Sequence, residues 1–300
     1  MQSHFLTAVK PQKSLTSTAV ASLCLLAAAG ACAQEQGSVR LYGIVDLAVR
    51  RASGLTEFTP SNASTTTMVS GLNNTSRWGI RIQEDLGGGL SAQAQLETGI
   101  NAKNGTTASS TAYFDRQSWV GLGSSLGLIS LGRQTTLLAD AVSPVDPLGM
   151  RFASFNPSIG VAALSQHGLG IEFGSAGSTS GSYRLDNAIK YTARFGGLTA
   201  RAMLGTGEVA GKTSALSSRG VGVAYAASGV TLSGAYQTFK DTNQRTLDGA
   251  TLGAAYQWNT VRLAANAARS EAETAVGKHT VQRVFSAGAT WSITPLFDLT

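Results

Sequence analysis

Cysteine is almost missing from the chain. Its two copies, Cys24 and Cys32, both lie within the first 33 residues. Everything beyond Ala33 can therefore hold no disulfide and no thiolate metal site. Long apolar runs are missing as well: past residue 33 no stretch approaches about 18 consecutive apolar residues, which excludes a transmembrane helix there. Charge is scarce. Asp, Glu, Lys and Arg make up 13% of the 300 residues, against about 25% in a soluble domain. That deficit points to a surface that meets lipid. Six prolines are too few for a disordered linker protein. Beyond the leader the histidines are His167 and His279, far apart in loop-like segments and beside no nucleophile motif, so nothing supports a serine–histidine hydrolase. Gly87-Gly88-Gly89 is followed by no Lys-Ser/Thr, and it is not a phosphate cradle. No cofactor and no metal are expected.

The first 33 residues read as a signal peptide. Lys10 and Lys13 supply a positive start, Ala19 to Ala29 an apolar centre, and Ala31-Cys32-Ala33 a small-residue cleavage site before Gln34. A membrane anchor would need about 20 apolar residues. Lipidation at Cys32 is disfavoured by Ala29, where such signals prefer Leu. Residues 34–300 form the remaining domain. Taking Lys10 and Lys13 from the 23 basic residues leaves 21 against 17 acidic ones, a net +4. This modest excess suggests a mild preference for anions. No basic cluster interleaves with aromatics, so nucleic acid is not an expected partner.

What is abundant is glycine, 35 residues, and alternation. From Val39 to Arg50, Val39, Leu41, Gly43, Val45, Leu47 and Val49 alternate with Arg40, Tyr42, Ile44, Asp46, Ala48 and Arg50. A strand sends such sets to opposite faces. The same pattern recurs where Trp78, Ile80 and Ile82 oppose Arg77, Arg81 and Gln83, and where Leu198, Ala200, Ala202 and Leu204 oppose Thr199, Arg201 and Met203. Further segments follow at 230–237, 261–266 and 282–293; in the last, Arg283 is the one charge in an apolar set. Segments of about 10 residues, apolar on one face and polar on the other, are the mark of a membrane barrel. A soluble sandwich shows the same period with its apolar face turned to a core, and periodicity alone does not separate the two.

Short glycine joints at 87–89, 196–197 and 227–229 alternate with longer polar segments. The long ones are expected at Ser53–Asn74, Asn101–Thr111, Gly205–Ser218, Asp241–Asp248 and Glu271–Thr280. The longest non-strand segment runs from about 135 to 182 and holds Pro144, Pro147 and Pro157. A loop of that size in a compact protein is usually functional or disordered, and it is expected to fold into the lumen.

At this point the motifs are specific enough to compare. Val39-Arg40-Leu41-Tyr42-Gly43-Ile44-Val45-Asp46, Ser76-Arg77-Trp78-Gly79-Ile80-Arg81 and Gln95-Leu96-Glu97-Thr98-Gly99 follow one another in order. Asp115-Arg116-Gln117-Ser118-Trp119, Val145-Asp146-Pro147-Leu148-Gly149 and Arg184-Leu185-Asp186-Asn187-Ala188 come after them. Together they resemble the betaproteobacterial outer-membrane porins, a Gram-negative general-diffusion family. The resemblance implies an all-β fold, a transmembrane antiparallel barrel of the 16-strand type. It also implies a cell outer membrane location, a homotrimer in outer-membrane lipid, and passage of small ions and hydrophilic solutes without catalysis. It implies a pore constriction in which Arg77, Arg116 and Arg184 on the wall face Asp146 and Asp140 on the inward-folded loop. Three arginines against one or two acids lead to an expected anion preference.

One departure stands out. About thirteen strands begin in this chain, and its end, Phe297-Asp298-Leu299-Thr300, lacks the family's terminal aromatic. The barrel is thus expected to be incomplete here, and a truncated, non-assembling remnant is an alternative reading. An exported β-rich adhesin or binding protein is another. It would need repeats of fixed period, and none is visible.

The leader reading is checked by the intact mass of the exported chain: it should begin at Gln34, and a mass that retains Cys32 would reject the assigned cleavage site.

Overall fold

The computed structural model describes residues 37–53, 64–151, 183–207, 209–294 and 297–300. The leader at 1–33 and the segment 152–182, with Pro157 and His167, lie outside them. The strands are β1 (Ser38–Ile44), β2 (Leu47–Ser53), β3 (Ser64–Ser70), β4 (Arg77–Gly87), β5 (Leu90–Asn101), β6 (Thr106–Thr107), β7 (Gln117–Ser124) and β8 (Gly127–Thr135). A short helix, α1 (Leu137–Val142), follows. Then come β9 (Arg184–Phe195), β10 (Leu198–Gly205), β11 (Ser218–Ala227), β12 (Val230–Lys240), β13 (Thr246–Trp258), β14 (Val261–Ala275), β15 (Lys278–Thr294) and β16 (Phe297–Leu299).

One antiparallel meander carries the fold. Its path is β1-β4-β5-β7-β8-β9-β10-β11-β12-β13-β14-β15-β16, thirteen strands, with β6 beside β5; β2 and β3 form a separate ribbon. The strand count and the all-β antiparallel class agree with expectation. Among the described residues β1 and β16, the two ends of the path, do not pair with each other, so the sheet is open.

The turns explain the meander. Gly88 and Gly89 have φ of 61° and 79°, and Ser228 and Gly229 have 50° and 80°. Two successive positive-φ residues make the tight hairpin turn whose twist matches its strands. The joints β7–β8, β9–β10 and β13–β14 are equally short, and all of these lie at one end of the sheet. The long connections lie at the other.

Several boundaries differ from expectation. The segment Ser53–Asn74, expected as a loop, holds β3, and Asn101–Thr111 holds the two-residue β6. The strand read as Val39–Arg50 breaks at Val45–Asp46. Asp46 Oδ2 accepts from the amides of Asn73 and Asn74 at 3.1 and 2.7 Å, so the side chain clasps the far arm of the hairpin instead of pointing out of a ladder. The segment Glu271–Thr280 is not a loop: β14 and β15 run on to the turn at Val276–Gly277, with Glu271 opposite Val281 and Glu273 opposite His279. Its polar composition belongs to strands that rise past the apolar band. In Asp241–Asp248 the loop ends at Arg245, and β13 takes the rest.

The faces divide as the alternation requires. Val39, Leu41, Leu252 and Phe285 are each at least 70% exposed. Phe195, Tyr225, Tyr256, Trp258 and Trp291 stand on the same outer side, near the short turns. Such an aromatic girdle marks a lipid–water boundary. The Val39 and Leu41 side of β1 is therefore outside, the orientation a membrane barrel needs and a soluble sandwich does not.

The buried apolar core sits on the inner face and is built around α1. Thr136 caps the helix by accepting from the Ala139 amide at 3.2 Å. Leu137 and Leu138 pack with Leu185, Met203, Phe239 and Leu247. Beyond the helix, Val145 packs with Ala255 and Ala264. Glycine makes this close approach possible. A Cβ at Gly249 would lie 2.4 Å from Leu138 Cδ1, one at Gly253 2.5 Å from Val145 Cγ2, and one at Gly288 2.9 Å from Pro147 Cβ. The wall thus has three seats for the loop.

Gly249→Val should unseat Leu138. The expected cost is about 1–3 kcal/mol, the usual penalty of overpacking, read as a lower temperature for the loss of heat-resistant gel mobility.

Candidate functional site

The residues that follow the seats are held by polar contacts. Gln237, fully buried on β12, accepts from the Leu137 amide at 2.8 Å and donates to Ser218 Oγ at 3.0 Å. Arg262 on β14 donates to the Pro144 carbonyl at 2.6 Å and to the Asp146 carbonyl at 3.4 Å. Arg151 lies 3.8 Å from Asp298 on β16. The segment 136–151 is fastened across the inner face from its first residue to its last.

Between this segment and the opposite wall lies a cleft of about 510 Å³. The wall contributes Arg77, Arg81, Gln95, Glu97, Arg116, Arg184 and Arg201; the segment contributes Asp140, with Pro144 and Met150 among its neighbours. Five guanidiniums thus face two carboxylates. Glu97, 6% exposed, binds Arg116 Nε at 2.7 Å and Arg77 Nε at 3.6 Å. It also accepts from the Tyr42 hydroxyl at 2.9 Å. Gly79, its cross-strand partner, leaves room for that phenol: a Cβ there would lie 2.7 Å from the Tyr42 oxygen. The Arg81 guanidinium lies 4.4 Å over the Tyr42 ring, a cation–π contact. Asp140 is held by Lys190 at 2.8 Å and by the Thr135 hydroxyl at 2.6 Å, with Arg201 Nε at 3.8 Å. Both acids are therefore compensated, and the lining keeps a surplus of positive charge.

Tyr183, in the loop just ahead of β9, lies against Arg184 and Arg116. Burial alone would raise its phenol. The two guanidiniums outweigh that and hold the phenol below its ordinary value.

Of the five residues singled out from sequence, Arg77, Arg116, Arg184 and Asp140 come together on this cleft. Asp146 does not line it. It is 1% exposed, and its Oδ2 accepts from the Met150 amide at 2.6 Å, closing the turn after α1. Glu97, Arg81, Arg201 and Tyr183 were not singled out. Arg81 and Arg201 had already fallen on polar faces of their strands. Glu97 shares a face with Gln95, so strand parity alone would have found it. Among the described residues no group of three or more His, Cys, Asp or Glu is placed to hold a metal.

Comparison with known proteins supplies the remaining observations. A family model described as Gram-negative porin matches residues 17–299. An outer membrane porin protein of Bordetella pertussis is 39% identical over 158 residues, 49% of this chain and 41% of that protein. Outer membrane porin protein 32 of Delftia acidovorans is 32% identical over 190 residues, 60% of this chain and 46% of that protein. The matched stretch thus spans less than half the length of either curated relative. Among solved structures, an anion-selective porin from Comamonas acidovorans is 25% identical with a TM-score of 0.69, covering 86% of this chain and 75% of that one.

The depressed phenol gives a direct test of the cleft's charge. In an ultraviolet phenolate titration of the folded protein, one tyrosine should ionise ahead of the others, and Tyr183→Phe should remove that early step. An unchanged curve would mean that the guanidiniums do not dominate there.

Proposed function

The chain belongs to the Gram-negative porin family, and on that premise we propose that it forms a water-filled channel in which small hydrophilic solutes and ions diffuse passively, anions preferred. The family and the antiparallel sheet are those of an outer-membrane channel protein, not of an enzyme. The observation that carries the anion preference is the cleft itself, with its five guanidiniums and two carboxylates.

The physical argument is short. Arginine stays protonated at any working pH. Its charge is felt over about 8 Å at physiological ionic strength, a reach comparable to the width of a narrow cleft. A surplus of fixed cations raises the local concentration of anions and lowers that of cations. Opposed charges also create a transverse field. A polar solute aligns in it, whereas an apolar one must displace ordered water. Arg77, Arg116, Arg184 and Arg201 would form the cationic wall and Asp140 the opposing group. Asp146 would serve by fixing the loop's turn. The name of the Comamonas porin, anion-selective, supports the same reading. A homotrimer is proposed on the family's example, with the leader at 1–33 exporting the chain to the outer membrane.

The reversal potential across a planar bilayer in a salt gradient tests this. The sign should correspond to anion preference. Arg201→Gln and Arg77→Gln should each lower the anion-to-cation permeability ratio roughly two- to threefold, the Boltzmann factor of about 0.5 kcal/mol for one screened charge. A cation-preferring wild-type channel would sink the proposal.

A further inference from the structure

Arg283 is a charge in an apolar outer row, and the cleft makes no use of it. It is exposed and faces Arg269 directly across the β14–β15 ladder. Two like charges placed so are unfavourable. Arg269 is half exposed and is paired with Glu271, which also has His279 within 3.6 Å. Arg283 has no hydrogen bond or ion pair among the described residues.

The surface beneath the pair is a trough. Leu252, Ala267 and Phe285 lie in line across β13, β14 and β15. The outer two are 70% and 76% exposed and stand as ridges; the alanine between them is the floor. The next line, Ala254, Ala265 and Ala287, is small throughout. Ala250, Leu252, Ala267 and Phe285 with the two arginines border a shallow, open space of about 360 Å³. The trough continues toward the short turns as a second space of about 750 Å³ that shares Leu252, Ala267 and Phe285. About eight residues separate Arg283 from Trp291. At about 3.3 Å each and a tilt of about 40°, that places the arginines roughly 20 Å above the aromatic girdle, at the upper edge of an apolar band about 25 Å tall. They stand on the long-loop side, which is external in such barrels.

We infer that this outer face holds a lipid whose phosphate headgroup sits between Arg269 and Arg283 and whose acyl chain lies in the alanine-floored trough. A phosphate would turn an unfavourable pair of guanidiniums into a two-sided clamp, since charge-assisted contacts to phosphate are among the stronger ones. The small floor and tall ridges suit a slender chain, and a lipid is the occupant that has both parts.

Native mass spectrometry of the refolded chain in detergent tests it, with diphosphoryl lipid A, phosphatidylcholine and inorganic phosphate as probes. Lipid A should be retained in preference to phosphatidylcholine, and inorganic phosphate should not displace it. Arg283→Gln should weaken lipid A retention about tenfold, the equivalent of roughly one charge-assisted contact, while Arg283→Lys keeps most of it. Ala267→Trp, which fills the trough, should lower retention of lipid A with the arginines intact. Bilayer conductance, measured on the same preparations, should persist in all three variants, which separates this surface from the pore and certifies folding. The inference is overturned if Arg283→Gln binds lipid A as the wild type does, if Ala267→Trp has no effect, if inorganic phosphate alone displaces the lipid, or if Arg283→Cys crosslinks to a second copy of the chain.

Discussion

A strand that crosses a bilayer must satisfy hydrocarbon on one face and water on the other, while its backbone finds every partner in its neighbours. In lipid an unpaired amide or carbonyl costs several kcal/mol. The long meander of this chain follows from that requirement, with each strand on the path from β4 to β15 paired on both sides. The same requirement sets composition. Leu41, Leu252 and Phe285 are exposed because hydrocarbon is their solvent, and the polar groups gather on the inner side, where Glu97 and Lys190 find counter-charges. The low charge content that a soluble protein could not carry is the result of having two outsides.

The inner face faces a second problem, because a wall of alternating polar residues offers little for a loop to pack against. The chain meets it with local exceptions. Gly249, Gly253 and Gly288 open seats for Leu138, Val145 and Pro147, and Met203, Phe239 and Leu247 turn inward to form a small apolar core around α1. Asp140 is thereby carried to the cleft, opposite Arg77 and Arg116. Packing energetics and electrostatics meet in six helical residues: the buried side of α1 anchors, and Asp140 bears the charge.

The strands were legible because period two needs only neighbouring residues, and the short turns because two positive-φ residues leave a glycine signature. The order of the motifs was enough to suggest that Arg77, Arg116, Arg184 and Asp140 belong to one region. What escaped depended on distant partners. The break at Asp46 is caused by amides at Asn73 and Asn74, which no local pattern announces. The polar run through Glu271 and Glu273 reads as loop, since composition reports contact with water and not backbone conformation. Glu97 takes its place from the register that sets it opposite Gly79 and Gln117. Asp146 stands in the loop motif beside Val145, yet its carboxylate turns back to the Met150 amide.

The fastening of the 136–151 segment separates two properties that are often treated as one. Apolar seats and guanidinium-to-carbonyl bonds such as those from Arg262 contain nothing that titrates near neutrality, so the hold they give the segment does not depend on pH. The ion sorting proposed for the cleft would be screened by added electrolyte, its reach falling from about 8 Å to about 3 Å at 1 M. In brine such a passage would still sieve by size while ceasing to sort by sign.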